Sequence, residues 1–210
     1  MFFAKVPNFV QLLMPSYTWR VPTSEKRLFL TFDDGPIPEV TPWVLETLHH
    51  YGAKATFFCV GDNARKNPAV FQAILQNGHA VGNHTFNHLN GWKTDASTYC
   101  QNVAKCCEMF DTTLFRPPYG RLTTLQKKSL LKDFRIILWD VLSGDFSHKI
   151  PPETCLKHVL TNARRGSIIV LHDSLKAERN LRYVLPKILT HFSNLGYRFD
   201  AIVQDPRAII

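Results

Sequence analysis

Two adjacent carboxylates end one of the most apolar stretches of this chain. The segment LFLTFDDGP, residues 28–36, finishes on Asp33 and Asp34 before Gly35 and Pro36 bend the backbone. Carboxylates this close repel each other unless a positive charge lies between them or one of them takes up a proton. The pair therefore indicates a nearby cation or a shared proton.

A second motif supplies the residue types that hold a divalent cation. His84 and His88 lie four residues apart in NHTFNH, and H-x-x-x-H is a spacing of paired zinc ligands. Two imidazoles and one aspartate leave coordination positions open for water, which is typical of catalytic rather than structural metal sites. The second aspartate of the pair then stays off the metal and is free to act as a base.

Ionisable residues also stand at the ends of other predicted strands. They are Arg116 and Tyr119 in RPPYG, Asp140 and Asp145 in DVLSGDF, and His172 and Asp173 in LHD. Taken singly, each has an ordinary explanation, because carboxylates cap helices and isolated histidines or arginines are often structural or exposed. Gathered at the carboxyl-terminal rim of a parallel sheet, they predict an active site.

The elements that would position these residues alternate between strands and helices. The strand candidates are residues 28–33, 55–60, 79–83, 113–116, 135–141, 167–171 and 197–203. The helix candidates are residues 39–51, 67–77, 95–110, 122–132, 151–164 and 180–195. Repeated strand–helix units predict parallel strands with crossover helices, either closed into a (β/α)8-like barrel or left as an open doubly wound sheet.

Four glycines support this division of the chain. Gly52, Gly78, Gly166 and Gly196 each follow a helix candidate and precede a strand candidate. Helices commonly end on a glycine in the left-handed conformation. We therefore expect these four residues to terminate helices.

Composition restricts the class of protein. The 210 residues suit one domain, and the sequence shows no repeat, low-complexity tract or linker. A net charge of +8 fits either an ordinary basic protein or a preference for an anionic polymer or membrane face. Because lysines and arginines are scattered, no nucleic-acid partner is predicted. Five cysteines without a C-x-x-C motif predict neither a disulfide framework nor a thiolate zinc site.

Residues 1–27 are expected to form an arm packed on the main domain, residues 28–210. The beginning of this arm is apolar but is interrupted by Lys5, Pro7 and Pro15, so it is a poor signal peptide and too broken to span a membrane. The default expectation is a cytoplasmic protein; a periplasmic or cell-envelope location and contact with a membrane surface are the alternatives. The proposed anchors of the arm are Phe2, Phe3, Phe9, Tyr17 and Trp19.

The motifs TFDDGP, HTFNH, RPPYG, D-x-x-x-x-D-F and VLHD resemble, in this order, the motif set of polysaccharide deacetylases. This family is also called the NodB-homology domain, or carbohydrate esterase family four. The resemblance extends from residue 28 to about residue 203. It implies a distorted, TIM-like (β/α) barrel of about seven parallel strands.

The resemblance also implies a role for each motif residue. Asp33 would be the base that takes a proton from the attacking water, and His172 the acid that protonates the leaving nitrogen. Arg116 would orient the base and Asp145 the acid. The residues implied as ligands of a divalent metal, usually zinc and sometimes cobalt or nickel, are Asp34, His84 and His88.

Four further motif residues would contact the substrate. The backbone N–H of Tyr119 would help to hold the oxyanion, and Pro117, Phe146 and Leu171 would line the groove. Phe146 stands where the family usually has tryptophan. Phenylalanine keeps a hydrophobic wall but is smaller and has no indole N–H.

The implied activity is metal-dependent removal of N-acetyl groups from N-acetylglucosamine residues of a glycan such as peptidoglycan or a chitin-like oligomer. One alternative is a deacylase of another N-acyl or O-acyl sugar, such as a lipid-linked precursor. Another is a carbohydrate-binding pseudoenzyme, against which the intact set of motif residues argues.

Overall fold

Parallel strands form the centre of the molecule. The computed structural model describes residues 3–204, and its strands are β1 (Arg27–Asp33), β2 (Ala55–Cys59), β3 (Ala80–Asn83), β4 (Leu114–Phe115), β5 (Arg135–Ile136), β6 (Val141–Leu142), β7 (Ile168–His172) and β8 (Arg198–Phe199). They form a curved sheet in the order β5-β4-β3-β2-β1-β7-β6, and β8 pairs with β1. All of these pairings are parallel, which confirms the predicted α/β distorted barrel.

Helices cover the outside of the sheet. They are α1 (Asn8–Leu13), α2 (Thr41–His50), α3 (Gly61–Lys66), α4 (Pro68–Gln76), α5 (Ala96–Cys107), α6 (Thr124–Leu130), α7 (Pro152–Asn162) and α8 (Glu178–Asn194). Six of them overlap the sequence-based candidates, whereas α1 and α3 were not predicted. The four glycines expected to end helices all have positive φ.

The core lies between the sheet and the helices. Strand β1 is buried over Leu28–Asp33, as expected of a parallel strand covered on both faces. Helix α8 buries Leu181, Val184, Leu185 and Ile188 at helical spacing against this layer. The continuous apolar character of the central strands therefore follows from their position inside the barrel.

The prediction of one strand over residues 135–141 was wrong. The segment forms two short strands, β5 and β6, which lie at opposite edges of the sheet. Between them, the carbonyl groups of Ile137 and Leu138 accept hydrogen bonds from the Arg116 side chain at 3.2 and 3.1 Å. These carbonyls point into the barrel, so the segment crosses its opening instead of continuing as a strand.

The amino-terminal segment pairs with both open edges of the sheet. Ala4 accepts a hydrogen bond from the N–H of Leu142 on β6 at 2.9 Å, and Thr18 donates to Ile136 on β5 at 2.9 Å. Thr18 also accepts from the N–H of Leu138 at 2.8 Å. Pairing of this kind satisfies edge groups that would otherwise remain open to other chains.

The aromatic residues expected to anchor the arm differ in their surroundings. Phe3 and Phe9 are 72% and 64% exposed and therefore do not anchor it. Tyr17 packs against a buried cluster, and Trp19 donates from Nε1 to the carbonyl of Met14 at 3.1 Å. Phe2 lies outside the described residues. Over residues 3–204, no helix is both long and apolar enough to cross a bilayer.

Asp140 connects the arm to the barrel. Its buried carboxylate accepts hydrogen bonds from Ser167 at 2.6 Å and from Gln11 at 3.2 Å, and its distance to the Arg20 guanidinium is 3.4 Å. Because Ser167 precedes β7, these contacts lie at the end of that strand opposite to His172. Asp140 is therefore a structural residue and does not belong to the rim at which the sequence pattern placed it.

Replacing Asp140 with alanine should destabilise the fold. The change leaves the Ser167 hydroxyl and the Gln11 amide without their buried acceptor, so we expect a loss of about 1–3 kcal/mol. Urea unfolding of Asp140→Ala would measure it, with Asp133→Ala as the control because Asp133 is exposed. Equal unfolding midpoints for the two variants would contradict the structural role of Asp140.

Candidate active site

The ends of β1, β3, β4 and β7 open into one cavity of about 470 Å³. This volume lies within the usual range of small-molecule sites, about 300–1,000 Å³. The residues that line it are Asp33, Asp34, His84, His88, Tyr119, Arg121, Trp139, Leu142, Phe146, Val170, His172 and Lys176. The predicted base, acid and metal ligands thus meet in one place.

Asp33 and Arg116 form a buried ion pair beneath the cavity. Oδ1 of Asp33 accepts a hydrogen bond from Nη1 of Arg116 at 2.7 Å, and Asp33 is only 4% exposed. Nη1 also donates to the hydroxyl of Thr31 at 2.7 Å, so the guanidinium is fixed relative to β1. The contact orients the Asp33 carboxylate, and the carboxylate remains accessible from the cavity.

Asp34 reaches the same cavity because the backbone turns directly after β1. Its φ of 82° places it in the left-handed region, which redirects its side chain relative to a regular strand. The following residue, Gly35, lies against the Asp173 carboxylate, and a Cβ at this position would be only 2.0 Å from Asp173 Oδ2. Only glycine fits there, so the turn that presents Asp34 depends on Gly35.

Asp173 stabilises this turn through hydrogen bonds. Its carboxyl oxygens accept hydrogen bonds from the N–H of Gly35 at 3.1 Å and the hydroxyl of Thr41 at 2.6 Å. Burial, with the charge of Asp34 adding to it, raises the pKa of Asp173 to about 8. Asp173 does not line the cavity, and its role is to position the loop that carries Asp34.

His84 is held as a neutral imidazole with one ring nitrogen facing Asp34. Nδ1 lies 2.7 Å from the carbonyl of Arg116, which can only accept, so Nδ1 carries the proton and Nε2 has a free lone pair. Burial lowers the pKa of His84 to about 4, although the charges of Asp33 and Asp34 oppose it. A neutral imidazole with a free Nε2 is the form that binds metals.

Asp34, His84 and His88 fit the requirements of a divalent-metal site. Their ligand atoms all lie within 4.8 Å of one another, and Nε2 of His88 and Nε2 of His84 are 3.1 and 3.8 Å from Asp34 Oδ1. Burial raises the pKa of Asp34, but the hydrogen bond with His88 and the charges of the surrounding histidines outweigh it, and the net shift is downward. A carboxylate and two imidazoles form a donor set that zinc accepts in catalytic sites.

His172 and Asp145 form a second buried pair. Nδ1 of His172 lies 2.8 Å from Asp145 Oδ1, and the backbone N–H of His172 donates to Oδ2 at 2.8 Å. Ser143 also donates to Oδ1 at 2.9 Å, which fixes the carboxylate. Burial opposes the charged imidazolium, but the charges of Asp145, Asp34 and Asp33 outweigh it and raise the pKa of His172 to about 9. Because Asp145 holds Nδ1, the second proton of the imidazolium lies on Nε2.

The predicted base and the predicted acid lie side by side on neighbouring strands. Asp33 and His172 are register partners in the parallel pair β1–β7, so their side chains leave the same face of the sheet. The sequence could predict that both stand at strand ends. The structure adds that β1 and β7 are adjacent.

Tyr119 presents a backbone donor to the cavity. Its φ of 61° is left-handed, and its N–H has no acceptor within hydrogen-bonding distance among residues 3–204. The N–H groups of Gly120 and Arg121 are satisfied by the carbonyls of Pro117 and Pro118 at 3.0 and 3.2 Å. The Tyr119 N–H is thus a donor available to a substrate oxygen.

The cavity lining contains only some of the groove residues expected from the motifs. Phe146 lines it and contacts the His172 ring edge-on, with ring centroids 5.1 Å apart. Leu171 does not line it, because side chains alternate along a strand and Val170 and His172 occupy the cavity face of β7. Leu171 packs into the hydrophobic core instead. Pro117 is buried in the turn before Tyr119 and also lies outside the lining.

Some lining residues were missed by the sequence analysis. Val170 could have been found from strand alternation, since it stands two residues before His172. Trp139 lies in the segment that was predicted as a strand, and Arg121 and Lys176 follow motifs without belonging to them. No local pattern identifies these three, because loops bring them to the cavity.

Comparison with known proteins agrees with this geometry. A family model described as polysaccharide deacetylase matches residues 20–133, more than half of the chain. A peptidoglycan-N-acetylglucosamine deacetylase of Bacillus cereus is 35% identical over 194 residues, covering 89% of this chain and 91% of that protein. The chain belongs to the polysaccharide deacetylase family.

Two further relatives extend the comparison. A chitooligosaccharide deacetylase of Azorhizobium caulinodans is 36% identical over 163 residues, covering 73% of this chain and 77% of that protein. The crystal structure of the Bc1960 peptidoglycan N-acetylglucosamine deacetylase superposes with a TM-score of 0.85 at 31% identity. The superposition covers 94% of this chain and 95% of that one. This deacetylase therefore shares its fold with a solved member of the family.

Metal content should depend on the two histidines. We expect His84→Ala and His88→Ala to bind far less zinc than the wild-type protein, because each change removes one of three ligands. His50→Ala is the matched control, since His50 is exposed on α2. Elemental analysis after dialysis against zinc measures the zinc content per protein molecule. Wild-type stoichiometry in both site variants would refute the assignment of His84 and His88 as metal ligands.

Asp145 should set the proton affinity of His172. In the metal-free protein, NMR titration of labelled histidines should give His172 a pKa near 9, and Asp145→Asn should lower it. The pKa of His172 in the folded protein lies above the ordinary value of 6.5, so binding of this proton stabilises the fold below about pH 6.5. This contribution to the free energy of unfolding disappears as pH rises through about 9. Asp111→Asn, a change on the surface, is the control. An unchanged His172 titration in Asp145→Asn would show that Asp145 does not act on it.

Proposed function

We propose that this deacetylase hydrolyses the N-acetyl group of N-acetylglucosamine residues in a glycan, with zinc as its metal. One observation carries the proposal. Asp33, paired with a buried arginine, and His172, paired with Asp145, lie in register on adjacent strands beside the group Asp34, His84 and His88. Amide hydrolysis requires this combination of a base, an acid and an electrophilic centre.

The side chains of the cavity can be assigned to the steps of hydrolysis. Asp33 accepts the proton of the attacking water, and the N–H of Tyr119 donates a hydrogen bond to the oxygen of the acetamide as negative charge develops there. His172 then delivers its Nε2 proton to the sugar nitrogen as the carbon–nitrogen bond breaks. The chemistry that a divalent cation on Asp34, His84 and His88 supplies is activation of water and stabilisation of the oxyanion.

The buried partners of Asp33 and His172 carry opposite charges and support different roles for the two residues. Arg116 holds the Asp33 carboxylate in position through a 2.7 Å contact, and Asp145 stabilises the protonated form of His172 through a 2.8 Å contact. Groups with opposite partners can act as base and acid at the same pH. The products are acetate and a free amine on the sugar.

Named relatives support the substrate class. The Bacillus cereus protein is described as acting on peptidoglycan N-acetylglucosamine and the Azorhizobium protein on chitooligosaccharides. Both substrates contain N-acetylglucosamine, the sugar we propose for this chain. An O-acyl or lipid-linked sugar remains the alternative substrate.

The location of the enzyme and its contact with membranes also remain proposals. A cytoplasmic enzyme would meet soluble or lipid-linked sugars rather than a finished wall polymer. The exposed side chains of Phe9, Leu12 and Leu13 on α1 are the surface at which a membrane contact would occur. Cell fractionation with an antibody against the native protein would decide between the cytoplasm and the envelope.

Asp33→Asn should abolish most of the turnover while keeping the metal. The change retains the shape of the side chain but removes the base. General acid–base catalysis typically contributes about 10²–10⁴-fold to the rate. Zinc-loaded wild type and variant would be assayed on N-acetylglucosamine tetramer and on peptidoglycan fragments, with acetate and free amine both quantified.

Asp111→Asn is the control for Asp33→Asn and should retain wild-type turnover, because Asp111 is exposed. Release of acetate without free amine would favour O-deacylation. Absence of any product from zinc-loaded wild type on either glycan would count against the proposed activity. Near-normal turnover in Asp33→Asn with zinc bound would instead refute the assignment of the base.

A further inference from the structure

Two cations that the mechanism does not use lie at the wall of the active-site cavity. Arg121 follows the RPPYG motif and Lys176 lies between β7 and α8, and both line the cavity. Neither has a carboxylate within 4.0 Å among residues 3–204. They are therefore free to meet a negative group on a ligand.

The other charges that face the cavity already have partners within the protein. Asp33 pairs with Arg116 at 2.7 Å, and His172 pairs with Asp145 at 2.8 Å. Asp34 lies 3.1 Å from His88 within the candidate metal group. Among residues 3–204, the cations that line the cavity without a carboxylate partner are thus Arg121 and Lys176.

Arg121 is held in place before any ligand arrives. Its guanidinium carbon lies 4.7 Å from the centroid of the Trp92 ring, and Trp92 Nε1 donates to the carbonyl of Leu122 at 3.2 Å. The carbonyl of Arg121 lies so close to Gly91 that a Cβ there would be 2.3 Å from it. Gln126 joins the same two loops by donating to the Gly91 carbonyl at 2.9 Å. This packing fixes the loop from which Arg121 reaches the cavity.

We propose that Arg121 and Lys176 form an anion subsite that selects glycans carrying a negative group next to the N-acetyl sugar. The ligand chemistry is a carboxylate or a phosphate ester on the neighbouring unit. An arginine held against an aromatic ring binds either group through its planar N–H donors, and Lys176 adds a mobile point charge. The inference rests on the proposed function, since it concerns the substrate of the same cavity.

Substrate pairs that differ only in charge test the subsite. The first pair is an N-acetylglucosamine–N-acetylmuramic acid tetrasaccharide with free lactyl carboxylates and the same molecule with these groups converted to methylamides. The second pair is an N-acetylglucosamine disaccharide 1-phosphate and its dephosphorylated form. The zinc-loaded protein is assayed for kcat and KM on all four, at low and high salt.

The wild-type protein should prefer the charged member of at least one pair, and the preference should fall with salt because exposed charges are screened. Arg121→Gln and Lys176→Gln should each reduce the preference about two- to fivefold, as expected of solvent-exposed ion pairs. The double variant should reduce it about tenfold. The change should lie in KM, since binding of a remote group contributes equally to ground and transition states.

Matched variants separate charge from structural damage. Arg121→Lys should retain part of the preference, because it keeps the positive charge but loses the planar donors. Arg179→Gln, at an exposed arginine outside the cavity, should leave the preference intact. A preference confined to the first pair identifies a carboxylate subsite, and one confined to the second identifies a phosphate subsite. Equal kinetics on both members of both pairs, or a preference that survives the double variant, would overturn the proposal.

Binding provides a readout that is independent of turnover. Calorimetry on zinc-loaded Asp33→Asn measures the affinity for each probe while the acetyl groups stay intact. If no probe is deacetylated by the wild-type protein, the proposed function fails, yet weaker binding of charged probes by Arg121→Gln in this background still supports the subsite. If charged and neutral probes bind equally there, the subsite is refuted whatever the activity.

Discussion

A guanidinium without exposed surface lies at the centre of this barrel, and much of the surrounding structure follows from it. Burial of a charge costs several kcal/mol unless hydrogen bonds and an opposite charge compensate it. Arg116 donates to Thr31 and Asp33 on one side and to the carbonyls of Ile137 and Leu138 on the other. The latter two contacts turn the backbone of residues 137–140 inward, so the sheet does not continue there. The guanidinium that pairs with Asp33 thus also holds the segment between the two open edges of the sheet.

The open edges left by this arrangement explain the place of the amino-terminal segment. Strands β5 and β6 cannot pair with each other, because the segment between them crosses the opening. Residues Ala4 and Thr18 hydrogen-bond to the two edges, and Asp140 ties the segment to the barrel. The arm therefore completes the hydrogen bonding of the sheet rather than adding a separate unit to it.

The sequence could predict those features that depend on local spacing. The H-x-x-x-H pair and the adjacent carboxylates at the end of β1 indicated a metal group, and the glycines after helices indicated alternating parallel strands. The division of residues 135–141 could not be predicted, because it depends on Arg116, which is distant in the chain. Leu171 was misassigned because a motif was carried over without the alternation of the strand, which places Val170 in the cavity instead. Arg121 and Lys176 reach the cavity only through the folding of loops.

The residues assigned to the reaction and the residues proposed to select the substrate differ in how their charges are compensated. Asp33 and His172 each have a buried partner, so their charges are fixed within the protein and change little with the substrate. An acetamide is neutral and enters such a compensated environment without a large electrostatic penalty. Among residues 3–204, Arg121 and Lys176 have no carboxylate within 4.0 Å, and they are more open to solvent. Their interactions with a ligand should therefore be weaker and depend on salt. Charges of the second kind can change between related enzymes without disturbing the proposed reaction, because none of its proposed steps uses them. Differences in substrate among proteins with this set of motifs should therefore arise at loop positions such as 121 and 176, which the motifs do not specify.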